Sequence, residues 1–151
     1  MAPNKTPVRI KLTTEIHDLG KKDVTVVEEE GNFYQKGTTS VLMFTERNEE
    51  QEDVQSLITI NPDKVSVKRT GPVDMHQTFK KKQITENVYR HAYGSIHMET
   101  HTDQITYQRP DERNYGKLFI SYTTKLNGEG KRRHRLTLQF KKIEWKEEVS
   151  Q

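Results

Sequence analysis

Apolar and polar residues alternate one for one along the start of this chain. One set takes every second position from residue 8 to residue 16: Val8, Ile10, Leu12, Thr14 and Ile16. The residues between them are polar or charged, and this period of two predicts a β-strand with one buried face and one wet face. No stretch of a dozen residues shows a convincing helical period.

The same pattern recurs in short segments along the whole chain. These segments are VTVVEEEGNFYQKG, SVLMFTE, VQSLITI, VSVKRTG, VDMHQTF, ITENVYRHAY, IHMETHT, QITYQR, KLFISYTTKL and RLTLQF. DLGKKD, NPDK and NGEGK supply turns between them, and Gly31 is expected to mark a bulge or bend. Ten or eleven strands with short hairpin connections are typical of a meander. We therefore predict an all-β fold, an antiparallel up-and-down closed barrel, in preference to a sandwich.

The composition raises the question of whether so polar a chain folds at all. Hydrophobic residues make up 30% of the 151 residues and charged residues 31%, so the core must be thin. High charge with few apolar residues is also typical of disorder. Here the charges are mixed in sign, the net is only +3 and the apolar residues stay in phase. We predict one folded domain over residues 1–151, with its core at about 8–145 and frayed termini, including KEEVSQ.

Several classes of protein are disfavoured by what the sequence lacks. It has no cysteines, so a disulfide framework and a thiolate metal site are impossible, which fits a reducing compartment. The N-terminal MAPNKTPVRIKL lacks the apolar core of a signal peptide, and no apolar run approaches the ~20 residues of a membrane span. There is no Gly-rich phosphate loop, nucleophile elbow or cysteine nucleophile. We predict a cytoplasmic, non-enzymatic protein with no cofactor and no membrane partner.

The strand sequences together resemble a known family. GNFYQKG, VLMFTE, VSVKRTGPVDMHQTF, YRHAYGSIHMETHT and KLFISYTTKL are similar to segments of the small, functionally uncharacterised YwiB-like proteins of bacteria. The resemblance extends from about Val8 to Phe140. It implies a barrel of the calycin group, which includes lipocalins and fatty-acid-binding proteins. The Gly-x-Trp arrangement of lipocalins is absent, since Trp145 is the only tryptophan, and the resemblance implies no site residues.

One charged residue has the parity of the buried face. In VSVKRTG, Val65 and Val67 are expected to point into the sheet interior, and Arg69 shares their parity. An inward guanidinium must reach water or find an acceptor, because an unpaired buried charge costs several kcal/mol. Proline breaks the pairing at Gly71-Pro72, and VDMHQTF resumes on the same parity, which places Gln77 inward.

The turn near residue 94 decides which side chains of the preceding strand point inward. A two-residue loop at Gly94-Ser95 would pair Tyr93 with Ile96, and the inward set would be Tyr89, His91, Tyr93, Ile96, Met98 and Thr100. A three-residue loop would instead send Val88, Arg90 and Ala92 inward, and the apolar Val88 and Ile84 make that alternative credible. We favour the first arrangement.

The inward set then mixes aromatic and polar side chains among aliphatic ones. Its candidate ligand-binding members are Arg69, Gln77, Tyr89, His91, Tyr93 and Tyr122. A barrel of eight or more strands has an interior that can hold one small ligand. The alternative is a filled barrel, in which the tyrosines bond one another or buried water and Arg69 pairs with an acid such as Glu46 at the rim.

Two further clusters are assigned to the outside of the barrel. His97, Glu99 and His101 share one face, but His97 and His101 are about 13 Å apart on a straight strand, so we predict a solvated face without a metal. The basic runs Lys80–Lys82 and KRRHR (residues 131–135) are interpreted as solvated loop ends, since neither contains an aromatic residue other than His134.

The sequence therefore favours a small binding protein. We predict a lumen ligand that is apolar in body and anionic at one end, held by Arg69 through its planar fork. A nucleic-acid or acidic-partner module is the second candidate and a filled structural barrel the third, with nucleic acid disfavoured by the weak charge excess. The oligomeric state stays open.

Overall fold

The computed structural model describes residues 5–143 of the chain. It contains ten strands: β1 (Thr6–Asp18), β2 (Lys21–Lys36), β3 (Thr39–Arg47), β4 (Asp53–Ile60), β5 (Lys64–Thr70), β6 (Met75–Lys80), β7 (Ile84–His91), β8 (Gly94–Gln108), β9 (Tyr115–Leu126) and β10 (Glu129–Lys142). Trp145 and the KEEVSQ tail, expected to fray, lie outside the described residues. Within residues 5–143 there is no helix long and apolar enough to cross a membrane.

The strands follow one another around a single antiparallel sheet. Their order is β6-β5-β4-β3-β2-β1-β10-β9-β8-β7. Every strand therefore pairs with the next one along the chain except β6 with β7, and β1 also pairs with β10. The register along β1 and β10 runs without interruption from Val8 opposite Lys142 to His17 opposite Arg133. The predicted all-β, up-and-down barrel is confirmed.

The two end strands of the sheet, β6 and β7, do not form a continuous ladder of backbone hydrogen bonds. At the two ends of the sheet, Asp74, the residue before β6, forms one bridge with Arg90 of β7, and their backbones exchange hydrogen bonds of 2.9 and 2.8 Å. Side chains extend the seam: the Gln77 amide donates to Thr100 Oγ1 of β8 at 2.9 Å, and Thr85 Oγ1 donates to the Thr78 carbonyl. The barrel is therefore nearly closed, with a seam that side chains hold in part.

The apolar core fills one end of the barrel. Its largest fully buried side chains come from β1, β3, β4, β6, β9 and β10: Ile10, Leu42, Ile60, Phe79, Leu118, Ile120, Leu138 and Phe140. They occupy alternate positions on their strands, as the period of two requires. Within this cluster the rings of Phe79 and Tyr122 meet edge to face, with centroids 4.7 Å apart.

Two glycines let strands and rings approach each other. A Cβ atom at Gly116 would lie 2.7 Å from Cε1 of Phe140, and one at Gly31 would lie 2.9 Å from both Ile10 Cδ1 and Phe44 Cβ. The expected bulge at Gly31 is wrong, because the β1–β2 register passes through it without a shift. Position 31 needs glycine because Phe44 of β3, which pairs with it, and Ile10 of β1 leave no room for a Cβ atom.

The barrel wall is incomplete beside β2. This strand pairs with β1 from Lys21 to Phe33, but it pairs with β3 only from Gly31 to Lys36. Beyond Phe44, β3 continues to pair with β4 and leaves β2. Residues 21–30 thus carry a strand partner on one side only among the described residues, and the wall opens between this segment and the end of β3.

We predict that Gly116→Ala destabilises the barrel by about 1–3 kcal/mol, because the new methyl group overlaps the buried Phe140 ring and the core must shift. Lys117→Ala, one residue away on the exposed face, is the control and should change stability by less than about 0.5 kcal/mol. Urea unfolding of both variants at pH 7 measures the difference. Equal stabilities would contradict the packing of Gly116 against Phe140.

Candidate functional site

A cavity of about 310 Å³ lies in the lumen above the apolar core. Its apolar lining is Leu12, Val27, Phe44, Ile58, Val67, Met75 and Leu136, and its polar lining is Thr14, Thr25, Glu46, Ser56, Arg69 and Gln77. Phe44, Ile58 and Leu136 also belong to the core, so they form the floor. Thr25 and Val27 come from the half of β2 that has left β3, which makes the gap in the wall an entrance to this lumen cavity.

Arg69 points into the lumen, as its parity predicted. It lies opposite the buried Ser56 on β4, and its side chain is 30% exposed. Arg69 Nη2 is 3.8 Å from Glu46 Oε2, and Ser56 Oγ donates a 2.9 Å hydrogen bond to that same oxygen. Arg69 Nε is buried and has no hydrogen-bond partner among the described residues. The expected alternative partner, Glu46, is thus close, but at a distance too long for a hydrogen bond.

A second cavity, of about 380 Å³, lies on the other side of Arg69 at the barrel rim. The acidic loop between β3 and β4 forms one wall of this rim cavity, and the end of β7 with its turn forms the other. Its lining is Asn48, Glu49, Glu50, Glu52, Val54, Arg69, Pro72, Val73, Tyr89, His91, Ala92 and Tyr93. Arg69 therefore separates an apolar lumen cavity from an acidic and aromatic rim cavity.

The turn after β7 lies two residues earlier than predicted. His91 pairs with Gly94 and Tyr89 with Ile96, so the two-residue loop is Ala92-Tyr93 and not Gly94-Ser95. Gly94 follows this turn as the first residue of β8, and its φ of 138° is one that residues with a side chain rarely adopt.

The shift of two residues preserves the predicted facing of β7 but removes one member of the inward set. Tyr89 still shares a face with Ile96, and His91 shares that face too. Tyr93 belongs to the turn and is 88% exposed, so its inward placement is wrong. The three-residue alternative is also wrong, because Ile84 and Val88 are both exposed.

The six predicted residues are divided between three places. Arg69, Tyr89, His91 and Tyr93 line the rim cavity, and Gln77 joins Arg69 in the lumen cavity. Tyr122 lines neither cavity: it is 6% exposed and belongs to the core cluster. Burial without a charged partner raises the pKa of its phenol.

His134 is an inward residue that the sequence interpretation missed. KRRHR was assigned to a loop end, yet it lies within β10, and His134 has the parity of Leu136. Its ring stacks on Tyr122 with centroids 4.6 Å apart, and its Nε2 shares a 2.7 Å hydrogen bond with Thr124 Oγ1. Extending the alternation of Leu136, Leu138 and Phe140 back by one step would have found it.

The environment of His134 disfavours its charged form. Burial, with a smaller contribution from the positive charge of Arg132, lowers its pKa from 6.5 to about 4. Its Nδ1 is buried without a hydrogen-bond partner in residues 5–143. A neutral imidazole in this position extends the polar part of the lumen and adds no charge to it.

The outer histidines lie where the alternation predicted. His97 and His101 are exposed on the outer wall, His97 Nε2 is 2.9 Å from Glu86 Oε1, and His101 Nδ1 is 3.9 Å from Asp103 Oδ1. Over the part of the chain that the structure describes, no three histidine, aspartate or glutamate side chains are grouped as metal ligands.

We predict that His134 makes the barrel less stable in acid. Between about pH 6.5 and pH 4 the unfolded chain binds a proton that the folded chain excludes, so stability is complete above that window and falls as the pH is lowered through it. Since the ring is only partly buried, the loss should be about 1–3 kcal/mol by pH 4.5. Urea unfolding at pH 7.5, 6 and 4.5 measures it.

The matched variants for this prediction are His134→Gln and His101→Gln. Glutamine at 134 does not titrate, so its stability should fall less between pH 7.5 and pH 4.5 than that of the wild type. His101→Gln makes the same replacement on the exposed outer wall, so its stability at pH 7.5 should stay within about 0.5 kcal/mol of the wild type. Identical profiles for His134→Gln and the wild type would contradict the neutral, buried imidazole.

Comparison with known proteins supports the fold and identifies the family. Residues 10–138 match the family described as Domain of unknown function (DUF1934). The Uncharacterized beta-barrel protein YwiB of Bacillus subtilis (strain 168) is 24% identical over 136 residues, which cover 90% of this chain and 94% of that protein. The crystal structure of ywiB protein from Bacillus subtilis matches with a TM-score of 0.82 at 23% identity, over 93% of this chain and 94% of that one. The resemblance to YwiB-like proteins is confirmed, and the chain belongs to the DUF1934 family.

Proposed function

We propose that this barrel binds a small amphipathic ligand in the lumen cavity, with the apolar body against the core and an anionic group at Arg69. The observation that carries the proposal is the incomplete bonding of the guanidinium. Its Nε is buried without a partner, and no hydrogen bond joins any of its nitrogens to another described residue. An arginine has five N–H donors, so a ligand with acceptor oxygens would complete the site.

Glu46 lowers the charge of the site without completing its hydrogen bonds. Its Oε2 already accepts from Ser56 and lies 3.8 Å from Arg69 Nη2. A carboxylate or phosphate group bound in the plane of the guanidinium would accept two parallel hydrogen bonds, which is the arrangement that arginine favours. Glu46 would then repel the ligand and limit its affinity.

The rest of the lumen cavity suits an apolar ligand body. Aliphatic and aromatic side chains form its floor and part of its wall, and its 310 Å³ is at the lower end of the range for small-molecule sites. The gap between β2 and β3 supplies an entrance. The rim route is less favourable for an anion, because Glu49, Glu50 and Glu52 line it.

Three further parts of the proposal come from the sequence. We propose that the protein is non-enzymatic and cytoplasmic, and that its barrel is calycin-like. The nucleic-acid alternative has less support, because the basic residues 131–135 lie along a strand and share the surface with acidic segments such as the loop at 49–52. The filled barrel is the alternative that the binding experiment must separate from ligand binding.

We predict that Arg69→Leu combined with Glu46→Gln weakens the binding of a fluorescent fatty-acid probe by roughly 1.5–3 kcal/mol, the scale of a hydrogen bond to a charged group. The double change is needed because Arg69→Leu alone leaves the mostly buried Glu46 without its counter-charge. Probe titration monitored by fluorescence measures affinity, and urea unfolding checks that the double variant stays folded.

Two single variants sharpen the test. Glu46→Gln should bind the probe more tightly than the wild type, because it removes the negative charge nearest to the ligand head. Arg47→Leu removes an exposed arginine that lies one residue further along β3 and contacts Asp53, so it should bind like the wild type. A wild-type protein that does not bind the probe, and that carries no small molecule by native mass spectrometry after purification, would favour the filled barrel.

A further inference from the structure

Part of β2 presents an open β-edge. β1 and β2 are joined by a two-residue turn at Leu19-Gly20, whose φ angles of 49° and 80° are typical of a type I′ hairpin. Asp18 and Lys21 flank this turn as a pair, so they exchange hydrogen bonds, and every second pair after them does the same. Odd-numbered residues from 21 to 29 therefore direct their backbone groups at β1.

The even-numbered residues of the same segment direct their backbone groups away from β1. These residues are Lys22, Val24, Val26 and Glu28. They receive no strand partner within residues 5–143, because β3 pairs with β2 only from Gly31 onward. A row of unpaired N–H and C=O groups is a template for another strand.

The outer face of this edge is apolar at its centre. Val24 is 53% exposed and Val26 is 50% exposed, whereas Val8, Val41, Val54 and Val65 are buried. Exposed valines beside unpaired backbone groups are the combination that edge strands normally avoid. In the sequence, KK precedes this centre and EEE follows it.

We propose that two copies of the chain pair through this edge, with β2 of one antiparallel to β2 of the other. The order of charges argues for a second copy as the occupant. Because the basic end precedes the valines and the acidic end follows them, reversing the strand places each basic end opposite the acidic end of its partner. An antiparallel copy of the segment is therefore complementary to it in charge.

The outer side chains of β2 determine the register of this pairing. A two-fold axis perpendicular to the sheet pairs outer side chains with outer side chains, and centring it on Thr25 places Val24 opposite Val26 of the second copy. Lys22 then lies opposite Glu28. These are the even-numbered residues whose backbone groups are unpaired, so the same register satisfies hydrogen bonding, apolar contact and charge.

The length of the edge also fits. In this register Glu30 lies opposite Gly20 of the second copy, which is in the turn, so the pairing ends where β3 begins to pair at Gly31. A contact of this kind is smaller than a standard stable interface. We therefore expect a reversible dimer that forms with rising protein concentration, and it does not depend on a lumen ligand.

The first test uses proline. Val26→Pro removes an N–H group that faces the open edge and takes no part in the pairing with β1, a position where strands tolerate proline. Val26→Thr keeps that N–H and the branched shape. Sedimentation velocity from about 1 to 300 µM, the range for a micromolar dissociation constant, should show a dimer for the wild type and Val26→Thr but a monomer for Val26→Pro.

The second test uses charge exchange and is insensitive to small losses of stability. Lys22→Glu places Glu opposite Glu28, and Glu28→Lys places Lys opposite Lys22, so each variant alone should dimerise about tenfold more weakly or worse. Mixed together, they restore both opposite-charge pairs and should form heterodimers. Labelling one variant with a fluorophore allows its sedimentation to be followed in the mixture.

Hydrogen exchange locates the contact. As the protein concentration rises, the amides of Lys22, Val24, Val26 and Glu28 should become protected, while those of the odd-numbered residues are protected at every concentration by β1. A monomer at all concentrations, a dimer unaffected by Val26→Pro, or charge variants that fail to associate when mixed would each overturn the proposal.

Discussion

A shortage of apolar side chains determines how this barrel is filled. With only 30% hydrophobic residues, the core occupies one end of the lumen, where Ile10, Leu118 and Phe140 are fully or almost fully buried. Towards the other end the inward positions are taken by Arg69, Gln77, His134 and several threonines. Such groups need hydrogen-bond partners or water. The lumen cavity, the incompletely bonded guanidinium and the gap beside β2 all lie in this part of the barrel, where core residues form only the floor of the cavity.

The polar part of the lumen is arranged around neighbouring side chains on consecutive strands. Glu46 on β3, Ser56 on β4 and Arg69 on β5 occupy inward positions of three paired strands, because Ser56 lies opposite Arg69 and Val54 lies opposite Glu46. The acid offsets the charge of the arginine, but the 3.8 Å separation leaves the guanidinium without a hydrogen bond to Glu46. Glu46 therefore compensates the charge of Arg69 but does not accept a hydrogen bond from its N–H groups.

The sequence predicts side-chain direction better than it predicts strand register. Alternation within one strand was sufficient to place Arg69 in the lumen and His97 on the outer wall, because every second side chain of a strand shares a face. It did not place the turn after His91, since Gly94 suits a position just after a turn as well as one inside it. The inward direction of His134 is not predicted, because its four basic neighbours in KRRHR indicate a solvated loop end and not a strand with a buried face. The partial pairing of β2 with β3 depends on where two strands diverge, which no local pattern encodes.

The open edge of β2 and the lumen cavity belong to the same segment. Residues 24–27 alternate in direction: Thr25 and Val27 point to the lumen cavity, and Val24 and Val26 point outward. Pairing of this segment with a second copy would restrain the side of the entrance that β3 leaves free. A ligand in contact with Val27 would restrain the same backbone from within. Because coupling between two binding events is reciprocal, any effect of the ligand on dimer affinity must equal the effect of dimerisation on ligand affinity, and measuring both tests whether β2 connects them.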